Sequence, residues 1–278
     1  MMTARHLSAV DRAAPGLVSM LYVVGSTALG DFQPGHSDID VVTVLSRDPS
    51  PDDLHALATT HADLESIDGA PHYDGVYVTR EDLANPPDDG RPVPFVVNGE
   101  FRVGQPCGEL GPVLWLTLAR YGLAVRGPAA ATLGLRADPT RLREWNLGNL
   151  RSYWQPLAEQ TLTLLDNTPT DGAMSSEAIS DGATSDGAAS VGALSQAELA
   201  QGVAWLALGP PRLHHTIVTG DVISKTAAAT HVATYFPAWT DLAARAARWR
   251  GGAEIVFTLD DARQAAALAL AVVAEGRA

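Results

Sequence analysis

The stretch from Leu21 to Leu45, LYVVGSTALGDFQPGHSDIDVVTVL, constrains this chain more than any other. An apolar run ends at Gly25-Ser26, a polar turn containing Gly and Pro follows, and a second apolar run opens directly out of Asp38-Ile39-Asp40. The pattern predicts a strand, a Gly-Ser turn and a second strand. Side chains alternate along a strand, so Asp38 and Asp40 share one face while Ile39 packs into the core on the other. Two carboxylates held side by side repel each other and are costly unless a cation compensates them. Hard oxygen ligands suit Mg²⁺, which commonly takes one or two carboxylates together with substrate phosphates. Gly25 lets the backbone approach a ligand, and Ser26 can donate to phosphate oxygens.

Asp-x-Asp by itself is common at exposed strand ends, and Gly-Ser by itself is a turn. The ordered set, G-S, a short turn, H-S-D-I-D and an apolar strand, resembles the signature of the DNA polymerase β-type nucleotidyltransferase superfamily. In that superfamily the Gly-Ser pair holds the nucleotide phosphates and the two aspartates hold Mg²⁺. The resemblance implies these roles for Gly25, Ser26, Asp38 and Asp40, and a nucleotide-binding role for Ser37 within the same motif.

At 278 residues the chain is long enough for one large domain or two ordinary ones. A net charge of −13 argues against a surface built for nucleic acid and favours a cationic partner. Cys107 is the sole cysteine, which excludes an internal disulfide, and no metal-ligand spacing surrounds it. The N-terminal residues contain no long apolar core, and the alanine-rich run 265–274 is too short to span a bilayer, so a cytoplasmic monomer with no membrane partner is expected.

In chain order, a short helix is expected within 3–19, broken at Pro15-Gly16, and a helix over about 51–66, opened by Pro51 and by Asp52-Asp53 in its first turn. Residues 72–79 read as a strand, with Asp74 near its start, and 94–103 as one or two short strands. From Gly111 the pattern turns helical. The expected architecture is therefore an α/β domain at 1–108, a small mixed sheet with helices, followed by an all-α bundle at 109–278. Within the bundle, 167–194 carries three Asp-Gly-Ala repeats and almost no large apolar residue, and is expected to be a mobile insertion. Ser195 and Glu198 form an S-x-x-E capping box that opens the next helix, and further helices are expected over 225–235, 237–248 and 260–275. Trp115, Trp145, Trp154 and Tyr153 read as core or cleft-lining residues. Adjacent His214 and His215 point about 100° apart on a helix and do not converge on one ion without further ligands, so one is expected exposed and the other packed or cleft-facing.

Val218-Thr219-Gly220, preceded by Arg212 and followed by Lys225, is similar to the C-terminal domain of aminoglycoside adenylyltransferases, the streptomycin and spectinomycin resistance enzymes. In that family the matching arginine and lysine contact the triphosphate of ATP, and the resemblance implies this for Arg212 and Lys225. Fixed cations stabilise the charge that grows on a leaving pyrophosphate, and Lys225 is the sole lysine of the chain. Two departures stand out. The family's catalytic base is a glutamate on the next core strand, and the matching strand here begins with Asp74, one methylene shorter; Glu65 and Asp68 are the alternatives. The segment that precedes the arginine helix, where the family binds its drug, is replaced by the insertion with Asp171, Glu177, Asp181 and Asp186. The resemblance implies AMP transfer from ATP, with Mg²⁺, to a hydroxyl of an aminoglycoside or aminocyclitol. The alternatives are transfer to a protein or RNA acceptor, and a nucleotide- or drug-binding protein without turnover.

Overall fold

The computed structural model describes residues 2–87, 90–167 and 195–276. All of the expected insertion except Asn167, including its four acidic residues, lies outside the described residues. The chain forms two compact units, Met1–Arg141 and Leu142–Ala278.

In the first unit, α1 (Met2–Ala13) leads into β1 (Val18–Val23), and a one-turn helix α2 (Gly25–Ala28) stands where the Gly-Ser turn is expected. The chain continues through β2 (Ile39–Leu45), α3 (Pro51–Glu65), β3 (Tyr73–Thr79), α4 (Arg80–Ala84), β4 (Phe95–Val97), β5 (Glu100–Arg102), α5 (Pro112–Tyr121) and β6 (Leu123–Arg126). The α3 start is built as the sequence predicts: the Ser50 hydroxyl accepts from the Asp53 N–H, the Asp53 carboxylate accepts from the Ser50 N–H, and Pro51 occupies the first turn. The sheet order is β5-β4-β3-β2-β1-β6. Among the described residues only β2 and β3 run parallel, joined by α3, as a parallel pair requires a crossover.

Alternation along the strands sorts the core into two layers. Tyr22, Val42, Val44, Val76 and Val78 face α5, with Trp115 and Leu118. Leu21, Val23, Val41 and Tyr73 face the other way, where Leu64 of α3 covers them and Ile39 packs alongside. The sheet reaches past residue 108, because β6 pairs antiparallel with β1 and α5 packs into the same core. The expected boundary at 108/109 and the boundary of the compact units at 141/142 differ for that reason.

The second unit begins within α6 (Pro139–Asn149), which runs through a π-helical turn, Leu150–Trp154, into α7 (Gln155–Asn167). The remaining helices are α8 (Gln196–Thr219), α9 (Lys225–Tyr235), α10 (Thr240–Arg250) and α11 (Leu259–Glu275). Ser195 and Glu198 form the capping box of α8, and Gly220, at φ 69°, closes that helix in the left-handed conformation glycine allows. Pro210 and Pro211 lie buried inside α8, which continues through them. The core is rich in small residues, Ala158, Ala207, Ala243, Ala265 and Ala269 among them, around Leu206, Val232 and Phe257. A Cβ at Gly209 would overlap the Trp154 ring, so the close approach of α8 to the π-helical turn depends on that glycine.

Candidate active site

The candidate site of the first unit forms at one end of three neighbouring elements. The Val24 N–H donates to the Asp40 carbonyl at 2.9 Å, which registers the end of β1 against the start of β2. Gly25 follows at φ 58°, and a Cβ there would overlap the Asp40 carboxylate. Glycine is therefore required twice, for its backbone conformation and to let the carboxylate lie against the main chain. The Ser26 hydroxyl is buried and has no hydrogen-bond partner among the described residues. The N–H groups that open α2 have no acceptor within so short a helix.

Asp40 pairs in register with Asp74 on the parallel strand β3, so the two carboxylates leave the sheet on the same face. Asp38 sits exposed just before β2, where the Ile39 N–H donates to the His72 carbonyl at 2.9 Å and ties the two strand starts together. The Asp74 carboxylate accepts from the N–H groups of Asn98 (2.8 Å) and Gly99 (3.0 Å), the two residues of the β4–β5 turn, both at positive φ. Burial raises the Asp74 pKa above the usual carboxylate range against the pull of those two amides, and the Asp38 charge raises it further. Each carboxylate oxygen keeps a second lone pair for another donor.

Beside this group the Glu65 carboxylate meets His72 Nδ1 at 2.8 Å, and a Cβ at Gly99 would overlap it. The Glu65 contact raises the His72 pKa, with Asp38 and Asp74 adding to the effect. Of the two alternatives to Asp74, the structure thus puts Glu65 in an ion pair with the neighbour of the carboxylate group. Ser37 is buried, and its hydroxyl accepts from the Gln33 N–H at 3.1 Å within its own loop. Among the described residues no three His, Cys, Asp or Glu side chains form a ready-made metal cage. The donor set nonetheless fits a hard divalent cation that takes part of its coordination from phosphate: carboxylate oxygens, a glycine that brings backbone up to them, and an unpartnered serine hydroxyl.

The cations expected from the sequence lie in the second unit. Arg212 Nε, on α8, donates to the Ile223 carbonyl at 3.1 Å, two residues before Lys225. Ser224 caps α9, its hydroxyl accepting from the Ala227 N–H at 3.2 Å, so Lys225 is the first residue of that helix. The Lys225 ammonium lies 4.6 Å from the centre of the Trp205 ring, and the Trp205 indole N–H donates to the Tyr153 hydroxyl at 3.2 Å. Sequence reading did not single out Trp205; its one signal was a place two helical turns before Arg212, on the same face of α8. His214 is buried, His215 is half-buried, and both meet His231 of α9, at 2.8 and 3.3 Å. His231 uses a different ring nitrogen for each neighbour, so the three imidazoles form a chain instead of converging on one point.

Residues 4–83, which span α1 through the carboxylate-bearing strands, match the family model "Nucleotidyltransferase domain". Over the whole chain the structure is similar to that of spectinomycin adenyltransferase AAD(9) from Enterococcus faecialis with ATP and spectinomycin. The TM-score is 0.62, with 98% of each chain covered and 13% sequence identity. The chain shares the fold of that adenyltransferase. The α/β unit followed by a helical unit, as the sequence predicts, is that fold. No curated protein matches in sequence. Among the described residues no helix is long and apolar enough to cross a membrane.

Proposed function

We propose that the protein transfers AMP from ATP to a hydroxyl group of an aminoglycoside or aminocyclitol, releasing pyrophosphate. The observation that carries this reading is the in-register pair Asp40 and Asp74, with the Asp40 carboxylate lying against Gly25 and the Ser26 hydroxyl unpartnered beside it. Gly25 and Ser26 present main-chain N–H groups and a hydroxyl to phosphate oxygens, and Ser37, in the loop before β2, adds to nucleotide binding. Asp38 and Asp40 would hold Mg²⁺, which would offset charge on the phosphates. Asp74 takes the proton of the acceptor hydroxyl; its raised pKa suits a base, and the Asn98 and Gly99 amides fix its orientation. Arg212 and Lys225 bring positive charge to the triphosphate and to the departing pyrophosphate. A net charge of −13 favours a cationic acceptor over RNA, and the full-length likeness to an adenyltransferase held with ATP and spectinomycin supports a small-molecule acceptor.

The test is incubation with labelled ATP, Mg²⁺ and a panel of aminoglycosides. Acceptor-dependent pyrophosphate release, with an AMP mass added to one acceptor, is expected. ATP binding without release against every acceptor would replace transfer with binding.

A further inference from the structure

Lys225 occupies an awkward place for a cation. It is the first residue of α9, where the partial positive charge of the helix N-terminus disfavours it. The ammonium lies over the face of Trp205, whose ring centre is 4.6 Å away. That ring is itself fixed. Its N–H donates to Tyr153, its centroid lies 5.3 Å from that of Trp154, and Trp154 is edge-on to Tyr153 at 5.0 Å. Tyr153 and Trp154 are consecutive residues of the π-helical turn between α6 and α7. The wider π-helical turn rotates the side chains of α7 relative to those of an unbroken α-helix, and such turns recur at functional sites. Gly209 then lets α8 come up against Trp154. Three separate helical segments thus converge to set the orientation of one indole.

We infer that Trp205 is a positioning residue: held by Tyr153 of the π-helical turn, it keeps the Lys225 ammonium at a fixed place for the nucleotide triphosphate. This rests on the reading that Lys225 serves ATP. A lysine has a long, flexible stem and loses much rotamer freedom when fixed; an aromatic face that holds the ammonium in advance removes part of that cost from ATP binding. The indole carries no net charge, so this contact orients the ammonium without cancelling its attraction for phosphate.

Because Lys225 is the sole lysine, reductive ¹³C-methylation labels one side chain and the N-terminal amine. The side-chain signal should be displaced upfield by the Trp205 ring current, and Trp205→Leu should abolish that displacement. A Lys225 signal at the ordinary position in the unmodified sequence would overturn the inference. Steady-state kinetics complete the test. Trp205→Leu should raise the KM for ATP about fivefold, the size of a partly desolvated cation–π contact, with the KM for the acceptor unchanged. Trp205→Phe should recover most of the loss, and Tyr153→Phe, which removes only a hydroxyl, should produce a smaller change in the same direction. In a Lys225→Ala background Trp205→Leu should add nothing, because the indole acts through the lysine. If Lys225→Ala impairs ATP use while folded Trp205→Leu and Tyr153→Phe do not, the positioning role is wrong and the lysine's role stands. Normal ATP use by Lys225→Ala would remove both.

Discussion

In the first unit the candidate residues are brought together by backbone. Asp40 and Asp74 lie side by side on one face of the sheet because β2 and β3 pair in register, and Gly25 meets Asp40 because the chain leaving β1 is tied to the Asp40 carbonyl. In the second unit Tyr153, Trp205, Arg212 and Lys225 come from three helical segments and are held through their side chains: an indole on a hydroxyl, an ammonium on an indole, a guanidinium on a loop carbonyl. The first arrangement gathers negative charge and the second positive charge. Sheet hydrogen bonds locate carboxylates that repel one another, which side-chain contacts alone would let swing apart. In the helical unit the indole that meets the ammonium and the carbonyl that meets the guanidinium are neutral groups, so those two contacts place the cations without opposing charge.

The contrast is broken most sharply at Asp40. Asp40→Asn keeps size and removes a charge, so turnover should fall about 10³-fold or more if Asp38 and Asp40 hold the metal. The strand pairing does not depend on that carboxylate, and like-charge repulsion is relieved, so the thermal midpoint should hold or rise slightly. Mg²⁺ titration followed by calorimetry, with a melting curve, checks both halves. A correctly folded Asp40→Asn variant with normal turnover would refute the assignment.

Lys225 probes the other arrangement with a smaller effect. Lys225→Ala should lower the rate of AMP transfer on the order of 10²-fold, as loss of one electrostatic stabiliser does, and weaken ATP binding with it. Acceptor affinity measured without ATP should barely change. Lys225→Arg separates charge from shape: partial activity means charge dominates, and near-total loss means the single point over Trp205 is what matters.

The same contrast sets how much was legible in the sequence. The motif of the first unit is nearly contiguous, and period-2 alternation places Ile39 and the aspartates on opposite faces without knowledge of the rest. The register of β3 is not local, and the amides that hold Asp74 lie 24 and 25 residues away, in a turn recognisable from Asn98-Gly99 but with no sign of what it faces. β6 escaped because its first three residues are exposed; a four-residue edge strand with no buried face carries no hydrophobic period. Trp205 escaped for a different reason. A tryptophan in an apolar helix reads as core, and only the meeting of three segments shows that its ring also holds a cation.

The smallest effect concerns stability in acid. In the first unit His6 and His61 are sealed beside Tyr73, Tyr77 and Phe101; Tyr77 Oη lies 2.6 Å from His61 Nε2 and 3.2 Å from His6 Nε2. Burial holds the pKa of His6 down to about 3, with the His61 charge adding to it, and that of His61 down to about 4. In the second unit burial lowers all three imidazoles of the chain and takes His231 to about 4, but Glu275 favours the charged form of His214, and Asp221 that of His215. Every one of these folded values lies below the unfolded 6.5, so the native state binds fewer protons. Above pH 6.5 neither state is charged and nothing is lost; as pH falls from about 6.5 towards about 4, the unfolded chain takes up protons that the folded chain refuses, and stability declines. The cost is about 2 kcal/mol at pH 5 for each fully sealed histidine. Amide protection in α1 and α3 should therefore fall more between pH 7 and pH 5 than protection in α8 and α9, where carboxylates share the charge. His6→Phe, which also removes the unpartnered Nδ1, should flatten the response of α1 and α3 alone. Equal losses in both units, or an unaltered slope in His6→Phe, would mean that the sealed pair opens to water before it titrates.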